Sequence, residues 1–187
     1  IKLDGNYPTG TGNVALGDTA LDALTSGIQN TAIGSASLTN NTSGTYNTAI
    51  GREALKYNTT GYWNVAIGRT AAISNTSGNY NIAIGGNALA SNTTASNNTA
   101  VGYQSLYDNT TGQYNVAIGE SALANNTTAD SNTAVGKSSL VANTTGNNNT
   151  TSGKDSLGSN TTGNYNTAVG SNALVSNNNA SHNTAVG

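Results

Sequence analysis

Cysteine, phenylalanine and methionine are absent from this 187-residue chain, and tryptophan, histidine and proline occur once each. Without cysteine there are no disulfides, which fits a cytoplasmic protein or one on the outside of a bacterium or virus. Only 7% of the residues are charged, the net charge is −2 and no basic run occurs, which argues against nucleic-acid binding. There is no apolar run of membrane-spanning length and no signal peptide, so we expect no membrane insertion.

What the chain has instead is one unit repeated at a constant period of 17 residues. The unit at Asn47–Trp63 reads NTAIGREALKYNTTGYW, and a fixed period of this kind predicts a solenoid. Residues 1–12 precede the register as an irregular lead-in, and 13–29 form an atypical, cap-like first repeat. Ten repeats and the start of an eleventh fill 13–187, so we expect a piece of a longer protein. The units begin at Asn13, Asn30, Asn47, Asn64, Asn81, Asn98, Asn115, Asn132, Asn149, Asn166 and Asn183.

From Asn30 onward the units share one pattern: a strand of the form N-[TVI]-A-[IV]-G, then a Leu (Ile73 in one unit), then an NTTG-type turn; among the strands only that at 149–153 departs from it. We expect about two short strands per coil and an all-β, parallel β-solenoid. Since side chains alternate along a strand, the second and fourth residues are expected in the core and the third, Ala, on the opposite face. In the repeat at 149–153, Thr151 and Ser152 replace Ala and the aliphatic residue, which predicts looser packing there.

The apolar core expected from this pattern is thin. One Ile or Val and one Leu per coil contribute about 3 to 6 kcal/mol, against an ordering cost on the order of 20 kcal/mol for 17 residues. Coils must therefore stack, with ladders of Asn over Asn and Thr over Thr. Several rods are also expected to pack together, with the Ala column as the seam between chains: Ala32, Ala49, Ala66, Ala83, Ala100, Ala117, Ala134 and Ala168.

The NTAIG strand followed by an Ala-Leu pair resembles the head repeats of trimeric autotransporter adhesins of the YadA type. It is also similar to repeat arrays in phage tail-fibre and bacterial surface proteins. The resemblance covers 13–187 and implies a left-handed parallel β-roll, three chains side by side and a shaft or head projecting from a surface. The unit here is longer than the adhesin repeat by the NTTG turn, and the chain contains no anchor, stalk or chaperone domain.

Nothing in the sequence predicts catalysis, a metal site or a cofactor. His182 is the only histidine, and no column of acidic residues accompanies it. The charged side chains instead recur at the sixth or seventh residue of a unit with mixed signs, which indicates one solvated edge. These residues are Asp18, Arg52, Glu53, Arg69, Glu120, Lys137, Lys154 and Asp155.

Two columns of side chains are candidate surface features. Aromatic residues at the seventeenth position could bind sugar faces, or could cover the turn and a neighbouring protomer; they are Tyr46, Trp63, Tyr80, Tyr114 and Tyr165. Threonines in the turn could order water and bind ice, or could form a hydrogen-bonded ladder; they are Thr42, Thr59, Thr76, Thr93, Thr110, Thr127, Thr144 and Thr161.

The sequence therefore predicts a non-enzymatic structural or adhesive fibre segment. We expect it on a phage tail fibre or a bacterial outer surface, assembled as a homotrimer, with a host-surface glycan or protein as a candidate partner. Asn-Thr-Thr and Asn-Thr-Ser sequons recur in nearly every unit, which favours a bacterial or phage origin. An ice-binding solenoid that uses the Thr column is the alternative.

Overall fold

The computed structural model describes residues 10–187, so most of the lead-in at 1–12 lies outside the described residues. Eleven parallel strands of three residues form one sheet in chain order, and none of the described residues is helical. The chain is an all-β, parallel β-solenoid with 17-residue coils, as predicted. The strands are β1 (Val14–Leu16), β2 (Thr31–Ile33), β3 (Thr48–Ile50), β4 (Val65–Ile67), β5 (Ile82–Ile84), β6 (Thr99–Val101), β7 (Val116–Ile118), β8 (Thr133–Val135), β9 (Thr150–Ser152), β10 (Thr167–Val169) and β11 (Thr184–Val186).

Each coil contains one strand, so the second strand expected per coil is wrong. The segment around Leu55 is a series of turns in which the Leu has a left-handed backbone, with φ of 48°. Backbone hydrogen bonds still join successive coils there: the Leu55 amide donates to the Ala71 carbonyl at 3.0 Å. The coil is therefore held to its neighbours on all its sides, although only one side is extended.

Strand register is the same between every pair of coils. Counting each coil from its Asn, Ala49 is at position 3 and pairs with Ala66, while Ile50 at position 4 pairs with Ile67. Gly51 at position 5 ends the strand with φ of 131°, and a Cβ there would lie 2.6 Å from the Gly68 carbonyl oxygen. This contact and the positive φ explain why position 5 is Gly in every coil.

The interior of the coil is lined by Ala, Leu and Asn, and the aliphatic residues of the strand point outward. Ala49 at position 3 and Leu55 at position 9 are completely buried, whereas Ile50 and Thr48 on either side of Ala49 are partly exposed. The expectation that positions 2 and 4 fill the core is wrong. The interior is too narrow for them, because the opposite wall lies close: the Ser37 hydroxyl donates to the strand carbonyl of Ala49 at 3.1 Å.

The prediction that the Ala column forms a seam between chains is also wrong. These side chains have no exposed surface within a single chain, so a neighbouring chain cannot reach them. The backbone that approaches them is the opposite wall of the same solenoid. The residues concerned are Ala32, Ala49, Ala66, Ala83, Ala100, Ala117, Ala134 and Ala168.

Two buried columns of Asn, at positions 1 and 12, confirm the predicted Asn ladders. The Oδ1 of Asn30 accepts from the backbone amide and the Nδ2 of Asn47, at 3.0 and 3.2 Å. In the second column Asn58 Nδ2 donates to Asn41 Oδ1 at 2.9 Å. Both columns meet at one carbonyl, because Gly61 O accepts from Asn47 at 2.8 Å and from Asn58 at 3.0 Å. The amides thus link each coil to the next and tie the turn to the strand.

The coil expected to be loose is well packed. Thr151 is completely buried and its hydroxyl lies 2.6 Å from that of Ser139, which lies 2.9 Å from that of Ser156. Thr151 Oγ1 also donates to the Thr133 carbonyl at 3.2 Å. Ser152 is on the outer face, where it leaves no gap in the core. The three hydroxyls replace Ala–Ala contacts with hydrogen bonds, so the prediction of looser packing there is wrong.

Candidate functional site

The outer surface of the sheet is a stripe of exposed β-branched side chains, which we call the strand face. It consists of positions 2 and 4 of every coil, and aliphatic residues dominate it; Ile84 and Ile118 are 37% and 41% exposed. At about 4.8 Å per coil the eleven strands make this stripe about 50 Å long. Position 2 holds Val14, Thr31, Thr48, Val65, Ile82, Thr99, Val116, Thr133, Thr150, Thr167 and Thr184; position 4 holds Leu16, Ile33, Ile50, Ile67, Ile84, Val101, Ile118, Val135, Ser152, Val169 and Val186.

A mainly aliphatic surface of this length is typical of an interaction surface. No charged residue interrupts it along eleven strands. Side-chain alternation alone predicted these residues to be inside, so the strand face was not expected from the sequence. One signal pointed to it: position 2 alternates between Thr and Val or Ile, as half-exposed positions do, whereas position 3 is almost always Ala.

One edge of the strand face carries the aromatic residues of position 17, which are grouped in pairs and do not form a continuous column. Tyr46 and Trp63 stack with ring centroids 4.4 Å apart and planes 7° apart. Tyr80 lies edge-on to Tyr62, which the sequence analysis missed, at 5.3 Å. Partial burial of its phenol raises the pKa of Tyr80, and its hydrogen bond with Tyr62 raises that pKa further.

The remaining aromatic residues of that edge lie farther along the rod. Tyr165 stacks on His182 at 5.1 Å, and Tyr114 has no ring partner among the described residues. All five predicted aromatic positions have φ between 56° and 59°, a left-handed backbone that is uncommon for bulky residues. Ring stacking between coils offsets this conformational cost where a partner is present.

The other edge of the strand face carries charges at positions 6 and 7, which confirms the solvated edge that the sequence predicted. Lys137 pairs with Glu120 of the preceding coil at 3.1 Å, and Lys154 with Asp155 at 3.3 Å. A hydrogen bond from Lys56, 3.0 Å away, holds the pKa of the Glu53 carboxyl below its ordinary value. The same bond raises the pKa of the Lys56 ammonium.

The Thr column lies on the far side of the coil and forms the hydrogen-bonded ladder that was one of its two predicted roles. Each hydroxyl donates to the backbone carbonyl at the same position in the next coil, at 3.0 to 3.2 Å. The column comprises Thr42, Thr59, Thr76, Thr93, Thr110, Thr127, Thr144 and Thr161. The hydroxyl protons are therefore used within the chain.

Between residues 10 and 187 no three His, Cys, Asp or Glu side chains lie close enough together to hold a metal ion. The structure also contains, in that range, no helix with the length and apolarity of a membrane span. No family model matches this sequence, and no curated protein or solved structure gives a significant match. The strand face and its two edges are therefore the surface features of the described residues that bear on function.

Proposed function

We propose that this chain is a non-enzymatic, structural segment of an extracellular fibre, and that copies of it assemble side by side through their strand faces. The observation that carries the proposal is the uncharged, mainly aliphatic stripe of positions 2 and 4, in which only β9 has polar side chains at both positions, Thr150 and Ser152. A rod whose strongest exposed apolar feature runs along its whole length is suited to contact with another rod of the same length. A second copy in parallel register can cover the stripe at every coil.

Burial of the stripe supplies the stabilisation that the thin interior lacks. In several coils the aliphatic side chain of position 4 is more than a third exposed. Burying the exposed part of one such side chain contributes about 1 kcal/mol. Summed over the ten aliphatic residues of position 4, this is comparable to the energy of a specific protein interface, before the costs of association. Side-by-side assembly therefore stabilises each rod and also stiffens the fibre.

We favour three copies, arranged as a homotrimer of left-handed rolls, because the repeat resembles the heads of trimeric adhesins. Three strand faces turned toward a common axis enclose one another and leave the turns outside. The outward turns remain available for weak, multivalent contact with a glycan or protein on a host surface. This arrangement suits a phage tail fibre or a bacterial surface adhesin.

Mass in solution tests the assembly. We expect three times the chain mass of 18.7 kDa, and the triple variant Ile67→Lys, Ile84→Lys, Ile118→Lys should be a folded monomer. The matched control places the same three charges on exposed turn residues of the same coils: Ser77→Lys, Thr94→Lys, Thr128→Lys. A monomeric wild-type protein, or loss of assembly in the control alone, would contradict the proposal.

Disulfide cross-linking tests the parallel register, since the chain has no cysteine of its own. Ile33→Cys lies on the strand face near one end of the rod. In a parallel assembly its sulfur meets its counterpart and cross-links efficiently, whereas in an antiparallel one the two would be tens of ångströms apart. Failure of this variant to cross-link in an assembly of the correct mass would argue for the antiparallel arrangement.

Ice binding through the Thr column is the second candidate function. The recurrence of Thr at one position of successive coils favours it, and the engagement of every hydroxyl proton in the ladder weighs against it. Thermal hysteresis in wild-type protein, abolished by Thr59→Tyr and Thr110→Tyr, would support ice binding over the fibre proposal.

A further inference from the structure

The two edges of the strand face are chemically different, and within one chain they cannot touch. Rings occupy position 17 on one edge, and charges occupy position 6 on the other. Five residues, three of them in β4, separate Trp63 from Arg69, a span of up to about 20 Å. Contact between the edges therefore requires a second copy of the chain.

The symmetry of the assembly decides which edges meet. When copies are related by rotation about an axis along the rod, the position-6 edge of one faces the position-17 edge of the next. When copies run antiparallel, the position-6 edge meets a position-6 edge and the position-17 edge meets a position-17 edge. Parallel assembly, on which this inference depends, thus brings cations to aromatic rings.

Trp63 has one ring face free to receive such a cation. Tyr46, on the preceding coil, covers one face of the indole. Tyr80, on the following coil, is turned edge-on to Tyr62 and makes no ring contact with Trp63. The face of Trp63 toward Tyr80 has no aromatic or cationic partner among the described residues, and the side chain is 52% exposed.

Arg69 is the cation that follows the strand that Trp63 precedes. The two residues flank β4 (Val65–Ile67), so in copies related by rotation without an axial shift they lie at the same level of the stack. Among the described residues Arg69 makes no ion pair, in contrast to Lys137 and Lys154. A guanidinium is weakly hydrated and stacks well on an indole ring.

Arg52, one coil earlier at the same position, provides the comparison. Arg52 follows β3 and Tyr46 precedes it, but the face of Tyr46 toward the next coil is already covered by Trp63 at 4.4 Å. The Arg52 guanidinium also lies 3.5 Å from the Glu53 carboxylate. The same position therefore holds one arginine with an open ring face opposite it and one without.

We propose that, in the parallel assembly, Arg69 of one copy stacks on the open face of Trp63 of its neighbour and fixes the axial register of the two chains. An exposed cation–π contact of this kind strengthens association about two- to five-fold at each interface. A slip by one coil would place Arg69 opposite the closed Tyr46–Trp63 stack or above Tyr80, and the contact would be lost.

The fluorescence of Trp63, the only tryptophan, reports on this contact. We expect acrylamide to quench Trp63 less in the assembled wild-type protein than in the dissociated chain. Arg69→Ala should restore about the quenching of the dissociated chain and weaken association, while mass at high concentration stays that of the assembly. Arg69→Lys should recover part of the protection, and Arg52→Ala should behave like wild type.

The outcomes separate this inference from the assembly itself. An assembly of the expected mass in which Arg69→Ala leaves quenching and association unchanged overturns the Arg69–Trp63 contact and leaves the fibre proposal standing. Equal effects of Arg69→Ala and Arg52→Ala also overturn it, because a general charge effect would explain both. A chain that is monomeric at every concentration overturns the fibre proposal and this contact together.

Discussion

At the scale of the residue, Ala at position 3 defines the solenoid because it is the residue against which the opposite wall packs. Side-chain alternation requires that positions 2 and 4 point one way and position 3 the other. It does not say which way is inward. The hydrogen bond from the Ser37 hydroxyl to the Ala49 carbonyl shows how little space lies between the walls. Ile or Val cannot fit there, and Thr151 fits because its hydroxyl pairs with that of Ser139.

Enlarging the inner residue should therefore destabilise the coil, whereas enlarging its outer neighbour should not. Ala100 is completely buried and Val101 is partly exposed on the strand face. We expect Ala100→Leu to cost about 1 to 3 kcal/mol or more through overpacking, measured as a lowered midpoint of chemical denaturation. Val101→Leu, which adds one methylene on the outer face, is the matched control. Greater sensitivity at Val101 would contradict the inward orientation of Ala.

At the scale of the coil, stacking depends on the Asn ladders, and the sequence was sufficient to predict them. Asn recurs at two fixed positions, and an amide can donate and accept at once, so identical residues on successive coils can pair. The Thr ladder was predicted on the same reasoning and is also present. The single strand per coil was not predictable this way, because nothing in the Ala-Leu pattern indicates that Leu55 adopts a left-handed backbone.

Replacing one ladder amide by a carboxyl should make stability depend on pH. Asn109 Nδ2 donates to Asn92 Oδ1 at 3.1 Å and to the Gly112 carbonyl at 2.9 Å. In Asn109→Asp a carboxylate oxygen replaces the amide donor and faces the two acceptor oxygens of Asn92 and Gly112. Burial and repulsion therefore raise the folded-state pKa of the carboxyl above its unfolded value near 4. The protonated form is tolerated below that value, and stability is lost as pH rises through the folded pKa.

We therefore expect the unfolding midpoint of Asn109→Asp to be near wild type at pH 3. At pH 7 it should be lower by an amount equivalent to about 3 to 5 kcal/mol. The control is Asn125→Asp, an exposed residue one position before the ladder residue of the next coil, which should show no such loss. A midpoint for Asn109→Asp that does not change with pH, relative to wild type, would show that the amide protons of the ladder are dispensable.

At the scale of the whole molecule, the constant period predicted the architecture correctly. The prediction of which strand residues are exposed was wrong. A period without insertions specifies a stack of equal coils, and the eleven strands pair in that order. The thin core suggested that rods pack together, and that stays a prediction. Packing between chains was assigned to the Ala column because Ala was expected to point outward, whereas the exposed residues of the strand are Ile, Val and Thr. The sequence could not predict which edge of one chain meets which edge of its neighbour, because that depends on the orientation of each aromatic ring.

Because every coil is equivalent, the molecule should tolerate the loss of a whole coil and not of half a coil. Deleting residues 98–114 brings Ala83 beside Ala117 and Ile84 beside Ile118, which keeps both ladders and the strand face in register. We expect that variant to unfold at nearly the wild-type temperature and to be about 4.8 Å shorter by small-angle scattering. Deleting 98–106 removes nine residues, breaks the ladders at that coil and exposes two inner edges. Its thermal unfolding should begin at a lower temperature and divide into two transitions. Equal stability of the two variants would mean that coil-to-coil register is not what holds the rod together.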